Sequence, residues 1–419
     1  MRFLQTIKNR LQTLPRAIYL AALIVPLLIL ISAYYLTVWK SVASFVVALD
    51  HNNQLFQDFL GHYYPMARTI LHTSTPVPGY FYSAFFALLL VPLCALKQMP
   101  AMWGWGILQA ISLVTLCVLP LVRLRRLKPG SIALYAGVLI TSFPILHNTK
   151  WGQVSVMLVV CVVAAFHAYA GKKRVLAGIL LAVAVAIKYY PAVFLVYFII
   201  KRDFRVCASF AIALFALYAF LPATAMGLQP WIAFEKARIA TMPDLEWIRH
   251  DVNSQYFGHV ADRWSHLLVK KPVGTMGAQI LSVAGYAVFL CNLALLWLME
   301  RKNLKDKYTL SLVLLFLSLP FLIKTSWPHY FSYLPFCQIV ILTYLTSARS
   351  FSNVWKGGLL LLPLSSIACS SVFVFNWFPH WKVYNAYGMI FIANLLLLVC
   401  VYFIALKGLT GTDHSSDSK

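Results

Sequence analysis

Long apolar segments separated by short basic turns make up most of the chain. The first covers residues 17–39 without a single charge. About 20 helical residues cross the core of a bilayer, and the apolar region of a signal peptide is shorter, so we expect a retained membrane-spanning helix. The other apolar segments lie at residues 80–97, 101–122, 131–146, 152–170, 175–200, 204–222, 276–299, 308–323, 329–346, 357–375 and 385–406. The pattern predicts an all-α polytopic membrane protein with about 12–13 transmembrane or re-entrant helices.

Two regions do not fit a simple count of spans. Residues 175–200 are expected to fold back as a hairpin broken at Pro191, because a single crossing would place the basic turns at 301–307 and 349–356 outside. Within residues 80–122, two full spans would likewise put a basic cluster outside, so one of the two segments is expected to be partial or re-entrant.

Basic residues set the expected orientation, because short basic loops are retained in the cytoplasm. Arg2, Lys8, Arg10 and Arg16 precede the first span and predict a cytoplasmic N-terminus. Later basic clusters mark cytoplasmic turns at residues 123–128, 172–174, 201–205 and 301–307. We expect one integral-membrane domain over residues 1–406 and a cytoplasmic polar tail over 407–419.

The same orientation places the polar loops on the outer face, at residues 40–79, 147–151, 223–275, 324–328 and 376–384. Most of the acids lie there: Asp50, Asp58, Glu235, Asp244, Glu246, Asp251 and Asp262. Nine of the eleven histidines do so too, counting His329 at the edge of its span. Chemistry is therefore expected on the side opposite the cytoplasm. Nucleotide donors are cytoplasmic, and the chain has no phosphate-binding glycine motif.

Composition supports the membrane class. Hydrophobic residues make up 61% of the chain and charged residues 11%, whereas soluble domains have about 45–50% and 25%. The net charge of +23 would suit nucleic acid, but the basic residues lie between apolar segments, so we expect no nucleic-acid partner. The eight cysteines form no CxxC pair, which argues against a disulfide framework or a zinc site.

The first outer loop combines an amphipathic pattern with a carboxylate. Apolar residues recur at helical spacing, and Asp58 and His62 lie on another face, which predicts interfacial helices interrupted at Pro65. An acid held there would meet the head group of a lipid-borne substrate. The alternative is a capping or solvated aspartate.

Lys188 is expected below the outer surface. It lies 14 residues after Arg174, or about 21 Å of helix, which is less than the roughly 30 Å core. A cation at that depth faces a cavity or an anion, or its side chain snorkels to the interface.

The loop at 324–330 carries a histidine at the end of a span. His329 is a candidate general base, because the pKa of histidine lies near neutral pH; the alternative is a hydrogen-bonded structural residue. Trp327 and Tyr330 either contact substrate or belong to the interfacial aromatic belt.

Side-chain amides suited to sugar hydroxyls occur in two outer loops, at Gln153 and at Asn253 and Gln255. They could equally cap the loops. We expect no metal, because there is no HExxH pair, although His259 and His266 can share a helix face.

In order along the chain, five motifs resemble glycosyltransferase family 87, whose members use polyprenol-phosphate sugars. They are Asp58-Phe59 with Tyr63-Tyr64, Gly152-Gln153, Ile187-Lys188 with Pro191, Asn253-Ser254-Gln255 with Gly258, and Ser326-Trp327-Pro328-His329. Departures include Tyr80-Phe81-Tyr82-Ser83, which stands where the family has Tyr-Pro-Pro.

The resemblance implies a GT-C fold and a hexosyltransferase that inverts the sugar, commonly mannose, at the outer face. By this resemblance Asp58 is the first catalytic candidate, with His329 as its partner. Lys188, Lys324 and Arg68 are candidate phosphate contacts. The other substrate-binding candidates are Tyr63, Tyr64, Gln153, Asn253, Gln255, Trp327 and Tyr330. We expect no cofactor, since a polyprenyl phosphate leaves readily and lysines can supply positive charge.

The expected partners are a polyprenyl-phosphate sugar donor, a lipid or glycan acceptor and membrane lipids. Short loops and the absence of an Asn-x-Ser/Thr sequon favour a bacterial inner membrane, with the site on the periplasmic face. The alternative is a transporter or lipid-linked-sugar flippase, which predicts a row of polar residues through the spans. A structural scaffold would leave the outer-loop motifs unexplained.

Overall fold

The structure is a computed structural model that describes residues 55–123, 129–240, 245–270, 273–304, 306–347 and 353–410. The expected first span at 17–39, the acids Asp50 and Asp244 and most of the polar tail lie outside these ranges.

Helices make up nearly all of the described chain. The first half contains α1 (Tyr64–Thr69), α2 (Ala84–Cys94), α3 (Gln98–Arg123), α4 (Pro129–Ile140), α5 (Phe143–Trp151), α6 (Ser155–Ala170), α7 (Arg174–Ile187), α8 (Leu195–Ile200), α9 (Phe204–Phe215) and α10 (Leu221–Met226). The second half contains α11 (Leu228–Ala240), α12 (Leu245–His250), α13 (Phe257–Val269), α14 (Thr275–Arg301), α15 (Lys307–Leu322), α16 (Leu334–Ser347), α17 (Asn353–Cys369), α18 (Val372–Trp377), α19 (Trp381–Ala386) and α20 (Met389–Thr410). Two π-helical turns, Phe59–Tyr63 and Ala216–Phe220, and two 3-10 turns, Tyr190–Phe194 and Pro328–Phe331, adjoin them.

The predicted all-α polytopic class is confirmed. Among the described residues, the only β-type pairing is one isolated bridge between Ser142 and Ser371. Four helical stretches there are long and apolar enough to cross a membrane: Gln98–Leu119, Phe204–Met226, Met276–Arg301 and Trp381–Leu409. A fifth crossing is formed if α5 and α6, which are bent by 119° relative to each other, act as one broken span.

Several segments predicted as spans are shorter helices. Helix α2 has 11 residues, or about 16 Å, and therefore reaches only part of the way through a core of about 30 Å. Helix α3, which follows it, has 26 residues and is a full-length candidate. The partial element of residues 80–122 is thus the first one.

Residues 174–203 turn back on themselves. Helix α7 ends at Ile187, because the next residue, Lys188, has an extended backbone (φ −148°, ψ 134°). The Nε atom of Arg174 lies 3.0 Å from Oδ2 of Asp203. The ion pair holds the two ends of the hairpin together. The break, however, precedes the expected Pro191, because that proline lies in the first turn of a 3-10 helix, where its missing N–H needs no partner.

A proline also fails to interrupt the first loop. Pro65 lies in the first turn of α1, which continues directly from the π-helical turn. The apolar face of this segment contacts protein rather than lipid: Phe59 and Tyr63 are buried, and the ring of Phe59 stacks on Trp105 with centroids 5.0 Å apart. The segment thereby positions Asp58 at the edge of the core.

Basic turns meet at one end of α14. The carboxylate of Glu300 accepts hydrogen bonds from Lys201 Nζ at 2.8 Å and Tyr197 Oη at 3.0 Å, and Lys307 Nζ lies 3.0 Å away. The other end of this 27-residue helix, about 40 Å away, lies beside polar loops. There the N–H of Gln255 donates to the carbonyl of Ser326 at 2.7 Å.

Candidate active site

A cavity of about 400 Å³ lies where the polar loops converge. Its walls come from the first loop, the α5–α6 corner, the turn after α7, the loop after α12 and the loop after α15. Eight side chains that the sequence singled out line it: Asp58, Tyr63, Gln153, Lys188, Asn253, Trp327, His329 and Tyr330. Residues far apart along the chain thus form one site.

Hydrogen bonds connect a cation to a carboxylate across the cavity wall. Lys188 Nζ donates to Tyr82 Oη at 3.1 Å, and Tyr82 Oη donates to Gln153 Oε1 at 2.7 Å. Gln153 Nε2 then donates to Oδ2 of Asp58. The position of the carboxylate is therefore coupled to that of the ammonium group through two uncharged side chains.

The backbone at the α5–α6 corner fixes Gln153. Gly152 has φ +67°, and a Cβ there would lie 2.9 Å from Cβ of Phe56, so both conformation and space favour glycine. Trp105 Nε1 donates to the carbonyl of Gly152 at 3.0 Å, and Gln109 Nε2 donates to that of Gln153 at 2.7 Å. These contacts explain why a Gly-Gln pair opens α6.

Two aromatic rings flank the ammonium group of Lys188. Its Nζ lies 4.7 Å from the ring centroid of Tyr82 and 4.3 Å from that of Tyr330, within cation–π range. None of the ion pairs in the described chain involves this lysine. Rings and a hydroxyl thus stabilise the charge without neutralising it, which leaves it available to an anion.

Burial raises the pKa of the Asp58 carboxyl above its usual range, although the charge of His62, the hydrogen bond from Gln153 and the charge of Lys188 oppose the shift. The side chain is half-buried and is not the solvated loop acid that the sequence allowed. A carboxylate with a raised pKa is a better proton acceptor than an exposed one.

His62 is held near Asp58 by a tight turn. Its Nδ1 lies 2.8 Å from the carbonyl oxygen of Pro78. The adjacent Gly79 has φ +78°, and a Cβ there would lie 2.3 Å from Cε1 of the imidazole. Only glycine fits this approach.

His329 is buried, and neither ring nitrogen has a hydrogen-bond partner among the described residues. Its ring stacks on His147 with centroids 5.5 Å apart. Burial lowers the pKa of His329 well below its usual value, and the charges of Lys188 and His147 add to this shift. The imidazole is therefore neutral at physiological pH, with one nitrogen able to accept a hydrogen bond from a ligand.

A second carboxylate lies in the same cavity. Oδ2 of Asp251 accepts a hydrogen bond from Trp327 Nε1 at 3.0 Å, and its Oδ1 accepts one from the N–H of Asn253 at 2.9 Å. The ring of Trp247 lies 6.3 Å from that of Trp327. Flat aromatic surfaces beside a carboxylate suit a carbohydrate.

The sequence missed several lining residues, namely His62, Tyr82, His147, Trp151, Trp247 and Asp251. Asp251 is one of seven acids in the outer loops, and Tyr82 belongs to the stretch that departs from the family motif. Neither observation distinguishes Asp251 or Tyr82 from its neighbours as a site residue.

Two of the expected site residues lie elsewhere on the first loop. Tyr64 Oη donates to the carbonyl of Leu96 at 3.0 Å, and Arg68 Nη1 donates to Tyr64 Oη at 3.0 Å. Arg68 is exposed, and neither residue lines the cavity.

Two other predicted site residues, Gln255 and Lys324, are close in sequence to residues that line the cavity but do not line it themselves. Gln255 is fully buried, and its Nε2 donates to the carbonyl of Asn385 at 3.1 Å, so it connects the loops structurally. Lys324 lines a separate, smaller cavity.

Comparison with known families matches one family model, described as Glycosyltransferase family 87, over residues 80–325, which is more than half of the chain. The match includes Tyr82, Gln153 and Lys188, and it excludes Asp58 and His329. No curated protein and no solved structure matches the chain.

Proposed function

Because this chain belongs to glycosyltransferase family 87, it is a membrane glycosyltransferase, and we propose that it transfers a hexose from a polyprenyl-phosphate donor to a lipid or glycan acceptor. Mannose is the proposed sugar, and inversion at the anomeric carbon the proposed stereochemistry. The alternative sugar is glucose.

The observation that carries this proposal is the grouping of Asp58, Lys188 and His329 around one cavity. The reaction needs a proton acceptor for the attacking hydroxyl and positive charge for the departing phosphate. Asp58 can supply the first, with His329 as its partner, and Lys188 can supply the second.

In the proposed mechanism, the acceptor hydroxyl oxygen forms a bond to the anomeric carbon as the bond from that carbon to the phosphate oxygen breaks. Asp58 takes the hydroxyl proton, and its raised pKa favours this role. A single displacement inverts the anomeric centre. The polyprenyl phosphate leaves as an anion, so no general acid is required.

The remaining residues position the two substrates. Lys188 contacts the phosphate from between its two rings, and the hydrogen bonds through Tyr82 and Gln153 keep Asp58 at a defined distance from it. The neutral His329 orients the acceptor hydroxyl. Asn253 and Trp327, beside Asp251, contact the sugar rings.

We further propose that the cavity faces away from the cytoplasm, in a bacterial inner membrane. The support is the separation of charges along α14: basic turns surround Glu300 at one end, and the cavity loops lie beside the other. Basic residues favour the cytoplasmic side.

The test is an assay of the purified protein with synthetic polyprenyl-phosphate mannose and polyprenyl-phosphate glucose, each offered with candidate lipid and glycan acceptors. Mass spectrometry detects the product, and NMR gives its anomeric configuration. We expect transfer from one of these donors with inversion, and none from a nucleotide sugar.

An Asp58→Asn protein is the matched control, because it keeps the shape of the side chain and removes the base. Transfer by the unmodified protein from a nucleotide sugar, with none from either lipid-linked donor, would refute the proposed donor class. Retention of configuration would refute the single displacement.

A further inference from the structure

A second cavity, of about 370 Å³, lies beside the end of α14 that adjoins the polar loops. Helix α12 contributes Arg249, the loop after it Tyr256, helix α13 His259 and the loop after α15 Lys324, and the first turns of α14 contribute Ser282 and Val283. The proposed transfer reaction uses none of these residues.

The cavity carries positive charge. Nε of Arg249 lies 3.0 Å from Oδ2 of Asp262, so that cation is paired. Lys324 lacks an ion pair to any described carboxylate. Burial, together with the charges of Arg263, Lys324 and Arg249, lowers the pKa of His259 to about 4. The imidazole is therefore neutral, and Lys324 supplies the uncompensated charge.

A buried hydroxyl adds a polar group to the same wall. Tyr256 is only 1% exposed, and its Oη makes no hydrogen bond of good geometry among the described residues, although the Ser282 hydroxyl lies close enough to oppose the rise in its pKa that burial causes. A buried hydroxyl is costly unless it forms a hydrogen bond. A ligand oxygen in the cavity would provide one.

The remaining wall continues into an apolar, exposed surface. Met276, Ile280 and Val283, on the first turns of α14, are 76%, 59% and 65% exposed. Helix α14 is long and apolar enough to cross the membrane, so these side chains face lipid. Val283 also lines the cavity, which therefore adjoins the acyl chains of the bilayer.

We propose that this cavity binds the phosphate head group of a membrane lipid, with Lys324 and the Tyr256 hydroxyl contacting the phosphate and the start of α14 contacting the acyl chains. The cations alone would suit any anion. The apolar surface next to them selects a phosphate that is attached to a lipid.

Binding is measured on the purified full-length protein in neutral detergent by native mass spectrometry. Three probes separate the parts of the proposal: dioleoyl phosphatidate, dioleoylglycerol with the same chains and no phosphate, and inorganic phosphate. We expect saturable binding of phosphatidate only. Inorganic phosphate at the same concentration should not displace it.

Three variants locate the site. Lys324→Gln should weaken phosphatidate binding about tenfold, since a hydrogen bond to a charged group is lost, and Tyr256→Phe should weaken it about threefold. Lys236→Gln is the matched control. Lys236 is exposed on α11, outside the cavity, so this substitution removes the same charge without touching the site. Its affinity should equal that of the unmodified protein.

The proposal fails if Lys324→Gln binds phosphatidate as tightly as Lys236→Gln, or if dioleoylglycerol binds equally well. Displacement by inorganic phosphate would show that the lipid chain does not matter. If Lys324→Gln does not fold, an unchanged affinity of Tyr256→Phe decides against the site. No sugar transfer is measured, so these outcomes are independent of the proposed glycosyltransferase reaction.

Discussion

Replacing Tyr82 by phenylalanine removes the one oxygen atom that joins Lys188 to Gln153. The ring remains, so the cation–π contact at 4.7 Å is kept. Gln153 Oε1 also keeps a donor, because Tyr63 Oη lies 3.2 Å from it. The variant therefore breaks the connection to Asp58 without leaving a buried acceptor unpaired, and we expect it to fold normally.

The expected loss follows from the bond that disappears. A hydrogen bond to a charged group contributes about 1.5–3 kcal/mol, which corresponds to roughly 10–150-fold in rate if the bond matters only in the transition state. Because Lys188 keeps both rings, we expect the lower part of this range. The predicted fall in kcat/KM for Tyr82→Phe is about 10–50-fold.

Steady-state kinetics with the lipid-linked donor measure this fall, and Tyr80→Phe is the matched control. Tyr80 is also buried and donates its hydroxyl, to the carbonyl of Ser83 at 2.9 Å, but it does not line the cavity. Equal kcat/KM values for the two variants would refute the coupling between Lys188 and Asp58.

Four other predictions follow from the same structure. Asp58→Asn should lower turnover by roughly 10²–10⁴-fold; because the pKa of this acid is raised on folding, its ionisation opposes stability as pH rises, so the variant's Tm at pH 7 should not fall. For the same reason, kcat/KM should decline as pH drops through a value above the usual aspartate range. Near-normal turnover of the variant would exclude Asp58 as the base. Lys188→Met should weaken donor binding in a direct titration while folding is kept, and wild-type affinity would exclude the phosphate contact. In intact cells, an impermeant thiol reagent should label His250→Cys and not Lys173→Cys, both exposed positions; the reverse pattern would invert the proposed topology.

The site could be predicted where a motif fixed both the residue and its neighbours. Gly152-Gln153 and Ile187-Lys188 each lie at the end of a helix, where the backbone leaves the helical path and exposes a polar side chain to the cavity. Tyr82 was missed because nothing local marks it. Its place in the cavity wall depends on hydrogen bonds to Gln153 and Lys188, which are 71 and 106 residues away along the chain.

Two of the predicted site residues do not line the first cavity. Lys324 lines the second cavity, whereas its neighbour Thr325 lines the first, because the loop changes direction between them. Sequence proximity cannot separate two such neighbours. Arg68 is exposed, although Tyr63, five residues earlier, lines the first cavity.

The all-α membrane class followed from composition and hydropathy, but the lengths of the helices did not. A short helix that packs into the protein, such as α2, is as apolar as a span, since contact with protein excludes water as lipid does. The sequence also did not predict where the helices are interrupted. Pro65 and Pro191 each fit the first turn of a helix, so neither ended one.

The contact between Lys201 and Glu300 has a consequence for the order of membrane insertion. The two residues are 99 positions apart, which at 5–20 residues per second corresponds to roughly 5–20 s of synthesis. During that interval Lys201 has no access to its carboxylate. In the proposed orientation the lysine directs its own segment before the ribosome delivers the acid with which it pairs, so one residue would serve first as a topogenic signal and then as a structural contact.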